Sequence, residues 1–189
     1  MKRISVFCGS SSGFDNIYKA QATKLGQLLA NQNIELVYGG ANVGLMGAVA
    51  EGTLKSGGKV IGIIPNFMKS KGIVHEKITE LILVDTMHER KLKMYELSDG
   101  IIALPGGYGT IEELFEILAW AQLGLHKKPI AVFNVNGFYD SLIALVQTMT
   151  HRGFLKQIHQ DMILVDSNAH KLLEKMKNYT PPIAEKWIR

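Results

Sequence analysis

The chain has 189 residues, 47% of them hydrophobic and 20% charged, with a mean hydropathy of +0.08; these values exclude disorder and suit one domain over 1–189. Cys8 is its only cysteine, which excludes a disulfide framework and points to a reducing cytoplasm. The net charge of +4 carries no nucleic-acid signal: residues 171–189 hold Lys171, Lys175, Lys177, Lys186 and Arg189 against Glu174 and Glu185, so this tail alone supplies +3. No apolar run approaches the ~20 residues of a membrane span, and the run after Met1 is too short for a signal peptide.

Short β-branched runs alternate with amphipathic stretches along the chain. Residues 4–8 predict a strand, 16–31 a helix, 35–38 a strand, 44–56 a helix rich in small residues, and 59–64 a strand stopped by Pro65. Residues 66–79 show no period and predict a loop or short helix. A strand at 81–84, a helix over 87–97 and a strand at 100–104 follow. Then come a long helix over 111–124, a strand at 129–133, a helix near 138–151, a strand at 163–165 and a helix over 168–177. Continuously apolar strands are buried on both faces, as parallel strands are. Their alternation with helices predicts a Rossmann-like, doubly wound α/β sheet with helices on both faces.

Glycine is in surplus, 19 residues where average usage of ~7% predicts about 13. Three clusters follow strands: Gly9 to Gly13; Gly39 and Gly40 with Gly44 and Gly47; and Gly106, Gly107 and Gly109. Ligands of open parallel sheets bind beyond the carboxyl ends of the strands. Glycine lets backbone N–H groups close on an anion, and each cluster leads into a helix whose N-terminus favours negative charge. One such cluster is ordinary turn chemistry; three predict a nucleotide or sugar-phosphate pocket. No G-K-[ST] follows any of them, and no G-x-G-x-x-G spacing occurs, so neither a P-loop nor ordinary NAD binding is expected.

Two helix starts carry charged groups. Thr110 and Glu113 have the spacing of a capping box, with Thr110 as N-cap, and Glu113 would also face a ligand in the preceding loop. Glu112 and Glu116, four apart, share another edge, either solvated or part of an interface. Thr86 and Glu89 repeat the box, and there Glu89 is read as a cap only. Arg90 and Lys91 follow, against the preference of a helix N-terminus, and so call for an anionic partner such as a phosphate or Glu113. The six histidines (75, 88, 126, 151, 159, 170) have no metal-ligand spacing, so no metal or organic cofactor is expected. Cys8 reads as a packed thiol, and the serines after Gly9 lack a nucleophile elbow.

Met87, His88, Glu89, Arg90 and Lys91, together with the run from Pro105 to Glu113, resemble the Lonely Guy family. These are cytokinin riboside 5'-monophosphate phosphoribohydrolases, many once labelled "possible lysine decarboxylase". The similarity extends from residues 6–11 through Tyr38, Gly39 and Gly40 and residues 44–47 to residues 120–124, nearly the whole chain. It implies a Rossmann-like homodimer that hydrolyses the N-glycosidic bond of N6-substituted AMP. Arg90 and Glu113 would be the catalytic pair, and Gly106, Gly107, Gly109 and Thr110 would hold the phosphate. Lys91 and Glu112 would lie close to the nucleotide, and Gly9, Ser10, Gly39, Gly40, Met87, Tyr108 and Ile111 complete the expected substrate-binding set. The fold also admits a non-catalytic nucleotide carrier, which would use the glycine clusters without Arg90 and Glu113. The helix over 114–123, apolar almost all round, independently favours a homodimer over deep burial in one chain.

Overall fold

The computed structural model describes residues 1–69 and 72–182. Seven of the apolar runs form one parallel sheet: β1 (Arg3–Phe7), β2 (Glu35–Tyr38), β3 (Val60–Pro65), β4 (Glu80–Val84), β5 (Gly100–Ala103), β6 (Ile130–Phe133) and β7 (Ile163–Asp166). Their spatial order is β4-β3-β2-β1-β5-β6-β7. The central strand β1 pairs with β2 on one side and β5 on the other, with Val6 opposite both Tyr38 and Ile102. The chain winds outward from β1 to β4, crosses back, and winds outward again from β5. The order therefore reverses between β1 and β5, the place where doubly wound sheets bind ligands.

Strand side chains alternate between two cores. Ile4, Val6, Leu36, Tyr38 and Ile102 face α1 (Asn16–Asn31), α2 (Gly44–Lys55) and α8 (Ala169–Lys177). Phe7, Val37, Ile63, Ile101 and Ala103 face α4 (Met87–Glu96), α5 (Tyr108–Gln122) and α6 (Asp140–His151). Two short helices, α3 (Asn66–Lys69) and α7 (Gln157–Gln160), and a 3-10 turn at Val135–Gly137 complete the elements among the described residues. Part of the glycine surplus serves packing rather than ligand contact: a Cβ at Gly26 or Gly52 would run into the backbone of Val49 or Thr23, so these two let α1 and α2 approach closely.

The loop or short helix expected over 66–79 is found, and two helix starts differ from the sequence expectation. Residues 66–69 form α3, and the loop over 72–79 is stapled to the exit of β2, with Asn42 N donating to Ile73 O at 2.8 Å and His75 N to Gly40 O at 2.9 Å. α6 starts at Asp140 because Asn134 organises a turn before it: its Oδ1 accepts from Tyr139 N, and its Nδ2 donates to Asp140 Oδ1. Most consequential, the long helix begins at Tyr108, with Gly107 as N-cap, and not after Thr110. Thr110 lies in the first turn, buried, its hydroxyl packed against Gly106. The Thr110–Glu113 capping box is therefore not formed. Gly109 weakens the first turn by up to ~1 kcal/mol, which is why local propensity points to a later start; the burial of Thr110 favours the earlier one.

Candidate active site

At the switch point the exits of β1 and β5 run side by side, held by Leu104 N donating to Phe7 O (2.9 Å) and Gly9 N to Pro105 O (3.0 Å). From the far side, the buried Tyr139 hydroxyl donates to Leu104 O at 2.6 Å. Leu45 N of α2 donates to Gly9 O at 3.0 Å, so the starts of α2 and α5 converge on the loop over 9–13. Gly44, at φ +58, abuts the Ser10 backbone so closely that a Cβ there would collide with it.

Two adjoining cavities open at this point. One, of about 300 Å³, is lined by Cys8, Gly9, Ser10, Gly39, Arg90, Gly107, Tyr108, Gly109, Thr110 and Glu113, with an apolar wall from Val6, Phe7, Met46, Met68 and Met94. The other, of about 270 Å³, shares Gly9, Ser10 and Gly107 and is bounded by Gly106, Leu45, Tyr18 and Phe138. The sequence-expected residues at 9, 10, 39, 90, 106, 107, 108, 109, 110 and 113 are thus brought together. Gly40, Met87, Lys91, Ile111 and Glu112 lie outside the lining of both cavities. The apolar wall, Met46 and Met94 above all, was not read from the sequence. Methionines scattered at helical spacing look like core until the fold aims them at a cavity.

Arg90 on α4 is held by three acceptors from three elements. Its Nε donates to Ile63 O at 3.1 Å, its Nη2 to Gly39 O at 3.3 Å, and its Nη1 to Glu113 Oε1 at 3.4 Å. A Cβ at Gly39 would overlap the guanidinium, so glycine there leaves room for Arg90 in this position. Arg90 and Glu113 are each only 8% exposed. Burial pushes the Glu113 carboxyl above the ordinary glutamate range; Arg90 pulls it back, and Glu112 adds to the rise. A buried carboxyl raised in this way is suited to proton transfer.

The helix starts beside this pair supply the rest of the site. α5 has no side-chain cap. The N–H groups of Tyr108, Gly109 and Thr110 lack intrahelical acceptors, as the first donors of any helix do. Gly107 and Gly109 have no other part of the protein within 4 Å of where a Cβ would stand, so the space above them is open. Such a terminus binds phosphate. By contrast, Thr86 caps α4 as expected, its Oγ1 accepting from Glu89 N at 3.1 Å. Lys91 finds its anions in Glu112 and Glu116, at 2.5 and 3.1 Å. Burial lowers the pKa of its ammonium, but the two carboxylates outweigh that and hold it above the usual lysine value. Burial, then Glu113, pushes the Cys8 thiol pKa up, so it is a packed group and not a nucleophile. Among the described residues no three His, Cys, Asp or Glu side chains gather as metal ligands, and no helix is long and apolar enough to cross a membrane.

A family described as "possible lysine decarboxylase" matches residues 46–176. A cytokinin riboside 5'-monophosphate phosphoribohydrolase of Arabidopsis thaliana is 46% identical over 180 residues, which cover 95% of this chain and 79% of the relative. A probable cytokinin riboside 5'-monophosphate phosphoribohydrolase of Oryza sativa subsp. japonica is 45% identical over 95% of this chain and 79% of its own length. Among solved structures, the molybdenum cofactor binding protein of Rippkaea orientalis superposes with a TM-score of 0.70, covering 93% of this chain and 94% of its own. At 24% identity this last likeness speaks for the fold alone. The decarboxylase label does not fit the side chains: pyridoxal phosphate needs an amine able to lose its proton, and Lys91, the lysine beside the site, is held protonated by two carboxylates.

Proposed function

The chain belongs to the Lonely Guy family, the cytokinin riboside 5'-monophosphate phosphoribohydrolases, and from that premise we propose that it hydrolyses the N-glycosidic bond of nucleoside 5'-monophosphates. The substrates are N6-substituted AMP and AMP itself; the products are the free base and ribose 5-phosphate. The observation that carries this reading is the buried Arg90–Glu113 pair facing a cavity next to an uncapped helix N-terminus. The phosphate sits on the N–H groups of Tyr108, Gly109 and Thr110, with the loop of Gly9 and Ser10 beside it. That anchors the ribose so that its anomeric carbon faces Glu113.

The C1'–N bond breaks through an oxocarbenium-like state, which the nearby carboxylate stabilises. Glu113 takes a proton from the attacking water as its oxygen bonds to the anomeric carbon and the C1'–N bond breaks; that proton passes on through water to the departing base, which leaves Glu113 ionised again. Arg90, anchored on two backbone carbonyls, orients Glu113 and keeps two further N–H donors for the ribose phosphate. Residues 1–189 work in this reading as one nucleotide-processing domain, placed in the cytoplasm on the strength of the single buried thiol Cys8.

The protein acts as a homodimer in this proposal. Leu83 on β4, Met87 and Leu92 on α4, and Leu123 and Leu125 after α5 are all exposed apolar side chains, and Ala119 of α5 is exposed with them. Light scattering should give twice the 20.9 kDa chain mass, and a particle of single-chain mass overturns the dimer. The function is tested by incubating AMP and N6-isopentenyl-AMP with the protein and assaying free base. Glu113→Gln, folded by circular dichroism, should lose at least about 10²-fold in kcat. Release of base at the wild-type rate overturns the assignment. Binding of both nucleotides without any base release would make the protein a carrier.

A further inference from the structure

We propose that the second cavity is a subsite for a group esterified to the 5'-phosphate, so that the protein accepts adenosine 5'-phosphodiesters carrying an uncharged aromatic or nucleoside group as well as the monoester. This rests on the hydrolase reading above and adds a class of substrate to it.

The two cavities share Gly9, Ser10 and Gly107, and Gly107 is the N-cap of α5, where that reading seats the phosphate. Arg90 and Glu113 line only the cavity of about 300 Å³, so the ribose and base extend into that one. The cavity of about 270 Å³ adjoins it at the same glycine and takes no part in the bond-breaking step. Its walls come from elsewhere in the fold. Tyr18 and Leu45 belong to the core beneath α1 and α2, whereas α4 and α5, which carry Arg90 and Glu113, cover the opposite face of the sheet. A phosphate over Gly107 therefore sends its ribose toward one face and can carry a second ester group toward the other. Doubly wound sheets hold dinucleotides across the switch point in the same manner. The two unesterified oxygens of a diester remain for the N–H groups of α5.

The lining sets the chemistry of that second group. None of its residues is charged, so a further phosphate would lie there without a cation beside it, at a cost. Tyr18 and Phe138 offer rings, edge to face at 6.0 Å and 78°, and Ser11 and Ser12 offer hydroxyls. Rings favour a planar apolar group, and hydroxyls favour a sugar. Phe138 is held in place: it meets Tyr139 edge to face at 4.9 Å, and the Tyr139 hydroxyl donates to Leu104 O at 2.6 Å. Phe138 still stays 41% exposed, apolar surface that a bound ring would cover. The bond broken is unchanged. Water gives its hydroxyl to C1' and a proton to the departing base, and the ribose 5-phosphodiester leaves with its ester bond intact.

The phenyl and methyl esters of AMP carry the same charge, but only the phenyl ester fills the second cavity. Affinities are measured by calorimetry in Glu113→Gln, and base release in the wild type. The phenyl ester should bind at least about tenfold more tightly than the methyl ester, and it should release adenine with a kcat within several-fold of that for AMP. ADP should bind at least about tenfold more weakly than the phenyl ester. Phe138→Ala should remove most of the phenyl preference, with a smaller effect on AMP. If that variant does not fold, Phe138→Leu decides by a several-fold loss of the preference. Equal affinity for the two esters overturns the proposal, as does a phenyl preference that survives in full without the Phe138 ring. ADP binding as tightly as the phenyl ester overturns it too, and so does a tightly bound phenyl ester that keeps its base while AMP loses it. If neither AMP nor the esters release base, the hydrolase reading fails instead, and the affinity ratio still reads the subsite.

Discussion

α4 and α5 begin in opposite ways, although the site draws one catalytic residue from each. α4 closes its own end: Thr86 accepts from Glu89 N, and Glu89 Oε2 accepts from Asp85 N at 2.8 Å. α5 begins on Gly107 with no side-chain acceptor. A cap is worth about 1 kcal/mol, so α5 forgoes stability that α4 has. A capped terminus has used its donors internally and can only present side chains, as α4 presents Arg90. An uncapped one keeps N–H groups and a partial positive charge for an anion. The site needs both kinds of helix start, one to hold a side chain still and one to stay open.

The largest break in this arrangement comes from the side that holds Arg90. Gly39→Ala places a methyl group in the guanidinium's position, so Arg90 must leave Gly39 O and Glu113 together. A loss of about 10²-fold in kcat is expected, with about 1–3 kcal/mol of destabilisation, read by base release and by urea unfolding. Wild-type kcat in this variant would show that Arg90 is not held as described.

Gly107→Asp would make α5 resemble α4. The site has room for the side chain, and φ −91 with ψ −155 suits any residue. The carboxylate would cap the free N–H groups, so melting should rise by the equivalent of a few tenths of a kcal/mol while KM for the nucleotide rises about tenfold. A more stable protein with unchanged KM would mean that the phosphate binds elsewhere. Thr86→Ala sharpens the contrast from the other side. It should cost about 1 kcal/mol in denaturant unfolding and leave KM unchanged, because the Thr86 hydroxyl is engaged with Glu89 N and lies outside the lining of both cavities.

The smallest effect is the pH dependence of stability. The pKa of Glu113 lies above its ordinary 4.5 in the folded protein because it is buried. Its contribution is therefore full below pH 4.5 and is lost as pH rises through the raised value. Glu113→Gln should gain in melting temperature relative to wild type on going from about pH 4 to about pH 8. A gain in the opposite sense would mean that Arg90 stabilises the ionised carboxylate more than burial penalises it.

Much of this was legible in the linear chain. The β-branched runs fall within a residue or two of the seven strands, most clearly for the inner strands β1, β2, β3, β5 and β6, which are buried on both faces and so are almost wholly apolar. The need of Arg90 and Lys91 for anions could be read from their clash with the α4 dipole, and both find them on α5. The start of α5 was misread, since Thr110 and Glu113 satisfy a local capping pattern that the burial of Thr110 against Gly106 overrides. The glycine surplus proved to have two causes. Gly107 and Gly109 stand open over the cavity, whereas Gly26 and Gly52 are demanded by the crossing of α1 and α2. Residue type alone does not separate these causes, because the deciding atom in each case belongs to a distant segment.

The sequence by itself determined the parallel α/β class, the glycine loops at the strand ends and the charged residues set against a helix dipole, since periodicity, backbone freedom and dipole preference all act over a few neighbouring residues. Only the tertiary structure decided that Arg90 meets Glu113 while Lys91 turns instead to Glu112 and Glu116, and that α5 stays uncapped. Those outcomes depend on the approach of α4 to α5 and on Gly39 and Ile63 lending their carbonyls across the sheet, contacts between residues 21 to 51 positions apart that local spacing cannot encode.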